Sequence, residues 1–444
     1  MERLLIANAT IVNEQQIFNG DLLIRNGRIE VVGGDLASQP HDRVIDAEGR
    51  TLLPGLIDDQ VHFREPGLTH KGDIGSESRA AIAGGITSFM DMPNTQPSTT
   101  DHDALEAKRI TASQNAYANF AFYLGATNTN IEAVKSVDPL KACGIKVFMG
   151  ASTGNMLVDD PKTLEAIFSS SPLLVATHCE DTPTIIANEA KYRTKYGNDV
   201  PMRHHPDIRS REACFKSSSL AVALAKKHGT RLHILHLTTA DELQLLEVGP
   251  SDTKKITGEV CVHHLFFNAS DYDRLNTRIK CNPAIKLESD RKALLQAIND
   301  DRIDIIATDH APHTLGEKQR PYFQAPSGLP LVQHALTVLL EQYHLGILTL
   351  PRIVEKTSHA VARLFDVKER GYIREGYWAD LVLVDLDRPH TVTAEDVISR
   401  CGWSPFENQR FRSTVDMTIV NGRIVFEKGR TIEKPVGMPI EFNR

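Results

Sequence analysis

Gly55-Leu-Ile-Asp58-Asp-Gln60-Val-His62-Phe-Arg64-Glu-Pro-Gly67 reads as the end of a buried strand that delivers polar groups to one place. An apolar run over 51–57, entered at Pro54, leads into it, and the histidine and arginine follow at its C-terminal end. In a strand of period two, Gln60, His62 and Arg64 point the same way, so one strand presents a metal ligand and a fixed cation to one cavity. A single histidine at a strand end is ordinarily structural. Similar strand ends further along the chain change that reading.

From here to Phe365 short β-like runs alternate with helical patterns. Strands are expected at 53–61, 88–92, 118–125, 145–149, 173–178, 232–236, 256–262 and 303–308, with helices such as 76–83, 103–113, 161–168, 212–228 and 289–299 between them. Eight βα units over roughly 310 residues fit an α/β fold of the (β/α)₈ TIM-type barrel class with insertions, whose site lies at the C-terminal ends of the strands. An open doubly wound sheet is the alternative. No Gly-x-Gly-x-x-Gly follows a strand and no phosphate-binding glycine-rich loop occurs, which weakens its nucleotide-binding version.

The two ends of the chain read differently. Asn26-Gly27 sits between two alternating apolar–polar runs, the pattern of a hairpin with a type I′ turn, and Ile419-Val-Asn421-Gly422-Arg-Ile424 repeats it near the other end. A further strand is expected at 379–385. Residues 1–52 and 366–444 are therefore expected to build one small β-sandwich domain from both termini, with 53–365 folding as the barrel between them.

At 444 residues the chain is too long for one ordinary core, and 41% hydrophobic with 24% charged residues is the composition of a globular protein. A formal net charge of −7 argues against nucleic acid as a partner. The N-terminal stretch is too short and too polar for a signal peptide, and no apolar run reaches the ~20 residues of a membrane helix, so a cytoplasmic protein with no membrane contact is expected. Six scattered cysteines, Cys143, Cys179, Cys214, Cys261, Cys281 and Cys401, fit reduced, mostly buried thiols.

Five of the eight expected strands end in, or hold near the end, a residue a metal can use: His62, Lys146, His178, His236 and Asp309. Three imidazoles and an aspartate suit zinc. Lys146 is out of place in a buried parallel strand, since an unpaired ammonium there is costly. Carboxylation by CO₂ removes the anomaly, because the carbamate bridges two cations as a carboxylate does. Asp309 beside a metal is both ligand and proton shuttle. Arg64, Asn94, Asn282 and His313 would surround the site, a guanidinium and amides being what a small carboxylate-bearing, amide-rich substrate needs. The set argues for metal-assisted hydrolysis. His233, His263 and His264 are read as structural, His233 because its spacing from His236 turns it to the other face of the strand.

Asp-x-x-Val-His-Phe-Arg-Glu-Pro-Gly at 58–67, Met-Pro-Asn-Thr at 92–95, Thr-Asp-His-Ala-Pro-His-Thr at 308–314 and Ala-Pro-Ser-Gly at 325–328 resemble the dihydroorotases of the amidohydrolase superfamily, over nearly the whole chain. The resemblance implies reversible cyclisation of N-carbamoyl-L-aspartate to L-dihydroorotate in pyrimidine synthesis. It makes His62 a ligand of a first metal, His178 and His236 ligands of a second, N-carboxylated Lys146 the bridge and Asp309 the metal-bound catalytic acid–base. Arg64, Asn94 and His313 become contacts to the substrate carboxylate or ring, with Asn282, Ser327 and Gly328 as further contacts. One or two zinc ions per subunit are expected, with a small-molecule substrate and a homo-oligomer, most simply a dimer.

One position departs from the pattern. The family's first strand carries His-x-His, and here the first of the pair is Gln60. A glutamine amide is a weak ligand beside imidazole, so the first metal site is expected to be weaker. The alternatives are another cyclic-amide hydrolase, a hydantoinase or allantoinase, against which Arg64 speaks, and a non-catalytic homologue, for which Gln60 speaks.

Overall fold

The computed structural model describes residues 3–150 and 156–444. Eight parallel strands form a ring: β1 (Leu56–Val61), β2 (Ile86–Asp91), β3 (Asn119–Phe122, continued by Leu124–Gly125), β4 (Ile145–Phe148), β5 (Val175–His178), β6 (Leu232–Ile234), β7 (Ile256–Cys261) and β8 (Ile305–Ala307). Each pairs with the next in sequence. The ring closes where Val61 bridges His310 and the His62 amide donates to His310 O at 2.7 Å. All eight expected strands are present.

The connecting helices begin where short polar side chains can satisfy the free N–H groups of a first turn. Asp73, Asp101, Asp160 and Ser210 cap Ile74–Ala83, His102–Asn115, Pro161–Ser170 and Arg211–His228, each accepting from the backbone three residues on. Pro161 opens its helix in the first turn, where a missing N–H costs nothing. Arg211–His228 buries Ala213, Ser217, Ala221 and Ala225, one stripe at a spacing of four, against the barrel wall. Of the helices of ten residues or more, two were not among those named from the sequence. Thr182–Tyr196 buries only Ile185 and so lacks an apolar stripe. Ala335–His344 is buried almost all round its first two turns, which erases the period.

Strands from both termini form one nine-stranded sheet. Its junction is Thr51–Pro54, parallel to Arg3–Asn13 on one side and antiparallel to Leu381–Asp385 on the other. The two Asn-Gly turns take positive φ at both central residues, 53° and 82° at Asn26–Gly27 and 52° and 74° at Asn421–Gly422, as type I′ requires. The tips pack on each other: a Cβ on Gly422 would stand 2.4 Å from the Gly27 Cα. All six cysteines are free thiols, five of them buried. Among the described residues no helix is long and apolar enough to cross a membrane.

The barrel interior departs from the usual filling of branched apolar side chains. Asp59, His233 and Glu259 meet there with no solvent exposure. His233 corrects the sequence reading: it reaches Asp59 on the far side of the barrel and therefore points inward, as His236 does. The strand stops at Ile234 and the backbone turns at His236, with φ of 40°, so strict alternation does not carry past the strand end. Asp59 follows Ile57 at a spacing of two onto the inner face, and β1 changes register against β2 between Asp58 and Val61.

Candidate active site

The strand ends open into a cavity of about 200 Å³, and every residue expected at a site lines it. His62, Lys146, His178, His236 and Asp309 converge on one part of its wall, while Arg64, Asn94, Asn282, His313, Ser327 and Gly328 supply the rest with Gln60 and Phe148. A larger cavity of about 680 Å³ lies on the terminal sheet between the two hairpins, with no histidine and no acid in its lining.

His62 Nδ1 is 2.7 Å from Asn94 Oδ1, and its Nε2 is 3.0 Å from Asp309 Oδ1. An amide oxygen only accepts, so Nδ1 carries a proton, and Nε2 faces a carboxylate across a gap that a second proton or a cation fills. Something positive belongs between them. Across the cavity, His178 Nε2 is 2.9 Å from Glu180 Oε2, which Arg209 Nη1 holds at 2.8 Å. That leaves His178 Nδ1 facing His236 Nε2 at 2.9 Å. Burial pushes both rings below the usual histidine range, His236 far below it, so both are neutral at pH 7. His236 Nδ1 has no partner among the described residues. Neutral imidazoles whose outer nitrogens are engaged by acids or amides are the form in which histidine ligates metals.

The Lys146 amine is buried on β4 with no hydrogen-bond partner among the described residues, 4.6 Å from the centre of the Phe148 ring. Burial brings its pKa down to about 8, opposed by the charges of Asp309 and Glu259. Such an amine is neutral in about one molecule in ten at pH 7, against fewer than one in a thousand for an ordinary lysine, and that fraction is open to CO₂. Three imidazoles, a carboxylate and this orphaned amine fit a divalent cation.

Gln60 makes no such fit. Its Nε2 donates to Asp309 Oδ1 at 3.1 Å, and its Oε1 accepts from the Cys261 thiol at 3.7 Å. The amide oxygen is turned away from the cavity. Gln60 therefore holds Asp309 in place and offers no ligand atom. Arg64, His236 and Asp309 all have positive φ, at 70°, 40° and 53°, backbone that non-glycine side chains rarely adopt and that concentrates at functional sites.

On the rim, Arg64 is 7% exposed; its Nε donates to Pro312 O at 3.1 Å and its Nη2 lies 3.0 Å from His313 Nε2. Lys71 Nζ donates to His313 Nδ1 at 3.0 Å; with Nδ1 accepting, the proton of the neutral ring sits on Nε2, which donates to Ser327 O at 3.0 Å and meets Arg64 Nη2 as a contact and not as a hydrogen bond. Burial and the cations Arg64, Lys318 and Lys71 hold His313 neutral. Asn282, with its amide nitrogen donating to Cys281 O at 2.9 Å and Ser327 Oγ at 3.1 Å, accepts from Arg209 at 3.2 Å. The loop carrying Ser327 and Gly328 is pinned from beneath by the buried Lys318, which donates to Lys280 O, Pro326 O and Gly328 O at 2.8–2.9 Å. Gly328, at φ 137°, approaches Ala311 too closely for a side chain: a Cβ would stand 2.5 Å from its carbonyl oxygen.

Glu180, Arg209, Lys71 and Lys318 escaped the sequence reading. Glu180 alone left a signal, two residues beyond His178 and so on the same side of the strand. His263 and His264 belong to the short helix Val262–Phe266 and do not line the cavity. Two clusters of three buried ligand-type side chains lie outside the cavity lining or reach past it: Cys261 with His263 and His264, and Asp59 with His233 and Glu259.

A family model described as "Amidohydrolase family" matches residues 51–425. The dihydroorotase of Pyrococcus abyssi is 34% identical over 424 residues, 95% of each chain. That of Methanosarcina acetivorans is 32% identical over 441 residues, 97% of this chain and 93% of the relative. Among solved structures, the L-hydantoinase (dihydropyrimidinase) of Arthrobacter aurescens superposes with a TM-score of 0.94 at 26% identity, covering 99% of this chain and all of the other. The dihydropyrimidinase of Brevibacillus agri, at 23% identity and a TM-score of 0.89 over the full length of both, is similar in fold.

Proposed function

The chain belongs to the amidohydrolase family, and from that premise we propose that it acts as a dihydroorotase, a hydrolase of cyclic amides that interconverts N-carbamoyl-L-aspartate and L-dihydroorotate. The observation that carries this reading is a single cavity in which a set of cation ligands faces a buried arginine. On the same reading 53–365 is the catalytic unit, 1–52 with 366–444 the smaller one, and the protein a cytoplasmic homodimer.

His62, Lys146, His178, His236 and Asp309 would hold one or two zinc ions, Lys146 as its N-carboxylated form between them. Zinc held there supplies a Lewis acid for the ring carbonyl and makes water more acidic. The chain's own groups do the rest. In ring opening water adds to the ring amide carbonyl, the C–N bond breaks and the nitrogen leaves as the terminal amide of the ureido group. Asp309 takes a proton from the attacking water and returns it to that nitrogen. Arg64 grips the substrate carboxylate, and Asn94, Asn282, neutral His313 and the Ser327–Gly328 backbone meet the ring's donors and acceptors. The purified protein, assayed with dihydroorotate, dihydrouracil and hydantoin alongside its metal content, tests the proposal. Turnover of dihydroorotate alone is expected. Preference for hydantoin or dihydrouracil would move the reading to the hydantoinases, and a metal-loaded protein inert toward all three would make it a non-catalytic homologue.

Arg64→Ala is expected to raise KM for both substrates by roughly 10- to 150-fold, the equivalent of about 1.5–3 kcal/mol for a hydrogen bond to a charged group. Arg64→Lys recovers only part, since an ammonium does not reproduce the planar fork. An unchanged KM in Arg64→Ala would show that the carboxylate is held elsewhere.

Capture of CO₂ by Lys146 needs the neutral amine. With the group titrating at about 8, the rate of carbamate formation at fixed dissolved CO₂ should rise roughly 25-fold between about pH 6.5 and about pH 8.5 in metal-free protein. The carbamate carbon of ¹³C-labelled CO₂ reports this directly by NMR. A rate independent of pH over that interval, or a signal that survives in Lys146→Met, would remove Lys146 from this role.

A further inference from the structure

We propose that the barrel interior holds a second, structural metal site, separate from the cavity, in which Asp59, His233 and Glu259 ligate a zinc-type divalent cation. The three side chains come from β1, β6 and β7, and none has any solvent exposure.

The hydrogen bonding of His233 sets the argument. The Thr257 hydroxyl gives its one proton to Leu232 O at 3.2 Å, so its oxygen accepts from His233 Nδ1 at 2.8 Å. The Nδ1 proton is thereby committed, and Nε2 turns toward two carboxylates, Glu259 Oε2 at 3.3 Å and Asp59 Oδ2 at 3.5 Å. Burial lowers the ring's pKa, but without an ion between them these acids outweigh it and push the ring up to about 9, so what sits at Nε2 is either a proton or a cation. These separations are long for N–H···O bonds, which cluster at about 2.7–3.2 Å. They match a metal site instead: tetrahedral donors about 2.1 Å from zinc stand roughly 3.4 Å from one another.

Two further observations point the same way. Neither carboxylate oxygen of Asp59 has a hydrogen-bond partner among the described residues, although the residue is wholly buried. Such a group is rare without an ion or a proton to satisfy it. The Tyr123 hydroxyl is also buried and partnerless, and it feels the charges of Asp59 and Glu259. A divalent cation cancels the two carboxylate charges with His233 neutral, and the nitrogen–oxygen donor set suits zinc and its neighbours. Glu259 ties the site to the cavity above, since its Oε1 accepts from the His236 backbone N–H at 3.0 Å. The ion would brace the barrel beneath His236 without touching substrate.

The competing occupant is a proton, making His233 an imidazolium between two acids. Anomalous diffraction from crystals of the full-length protein produced with added zinc, measured on both sides of the zinc edge, separates the two. The expected map has a peak about 2.1 Å from Asp59, His233 and Glu259, distinct from any peak in the cavity. Peaks confined to the cavity, or none, would overturn the proposal and leave the proton. Asp59→Asn, folded by circular dichroism, should lose this peak and one equivalent of zinc by elemental analysis while cavity zinc remains. Unchanged zinc content in Asp59→Asn would overturn it as well, and if that variant does not fold the wild-type map decides alone. Dihydroorotate turnover is read separately, so the failure of one reading leaves the other standing.

Discussion

Asp309→Asn should lower turnover in both directions by roughly 10³-fold or more while the protein stays folded, the scale of losing a positioned acid–base group. Asparagine is the substitution to use because position 309 has a φ of 53°, a conformation that asparagine and aspartate tolerate and most other residues do not. It also keeps an acceptor for the Gln60 amide, which donates to Asp309 Oδ1 at 3.1 Å. What it removes is the proposed proton carrier and the carboxylate oxygen that stands 3.0 Å from His62 Nε2. Among the described residues no other acid lines the cavity, so none of them can take over. Near-normal activity in folded Asp309→Asn would sink the assignment of the acid–base role.

Lys146→Ala is expected to release the metal from the cavity altogether and to abolish activity with it. The amine stands on β4 and lines the same cavity as His62, His178, His236 and Asp309, with no hydrogen-bond partner among the described residues. On the proposed reading its carbamate would serve both the His62–Asp309 side and the His178–His236 side. Short carboxylic acids such as acetate and propionate should restore part of the metal and part of the rate in Lys146→Ala by filling the bridge. Lys146→Met, which keeps the volume of the side chain, controls for packing. Gln60→His belongs to the same measurement. Because Gln60 presents its N–H to Asp309 and its oxygen to Cys261, the wild type should bind one zinc tightly and a second loosely, and an imidazole at 60 should raise the second. Two full equivalents in wild type, unaffected by Gln60→His, would show that Gln60 is no handicap. Metal retained in the cavity of Lys146→Ala would take the lysine out of the bridge.

The sequence by itself determined the barrel, the turn chemistry of the terminal hairpins and the strand-end side chains that line the cavity, while Ser327 and Gly328 were legible only through the family resemblance. Each of these is written in local, periodic signals. Buried parallel strands read as short apolar runs, Asn-Gly forces two positive φ values, and a ligand at a strand end is marked by the run before it. Arg64, Lys146, His178, His236 and Asp309 could be read this way because a barrel gathers its strand ends at one rim whatever lies between them. Tertiary structure alone decided how the side chains meet. The pairing of His178 with Glu180 and Arg209, the hold of Lys318 on the Ser327–Gly328 loop, and the turning of the Gln60 oxygen toward Cys261 all join residues from separate loops and strands. The register shift in β1 before Val61, and the backbone turn at His236 that breaks alternation with His233, leave no trace in composition or period. Strand stagger fixes which residues of β1, β6 and β7 share one level inside the ring. That stagger follows from closing the whole barrel and is specified by no single segment.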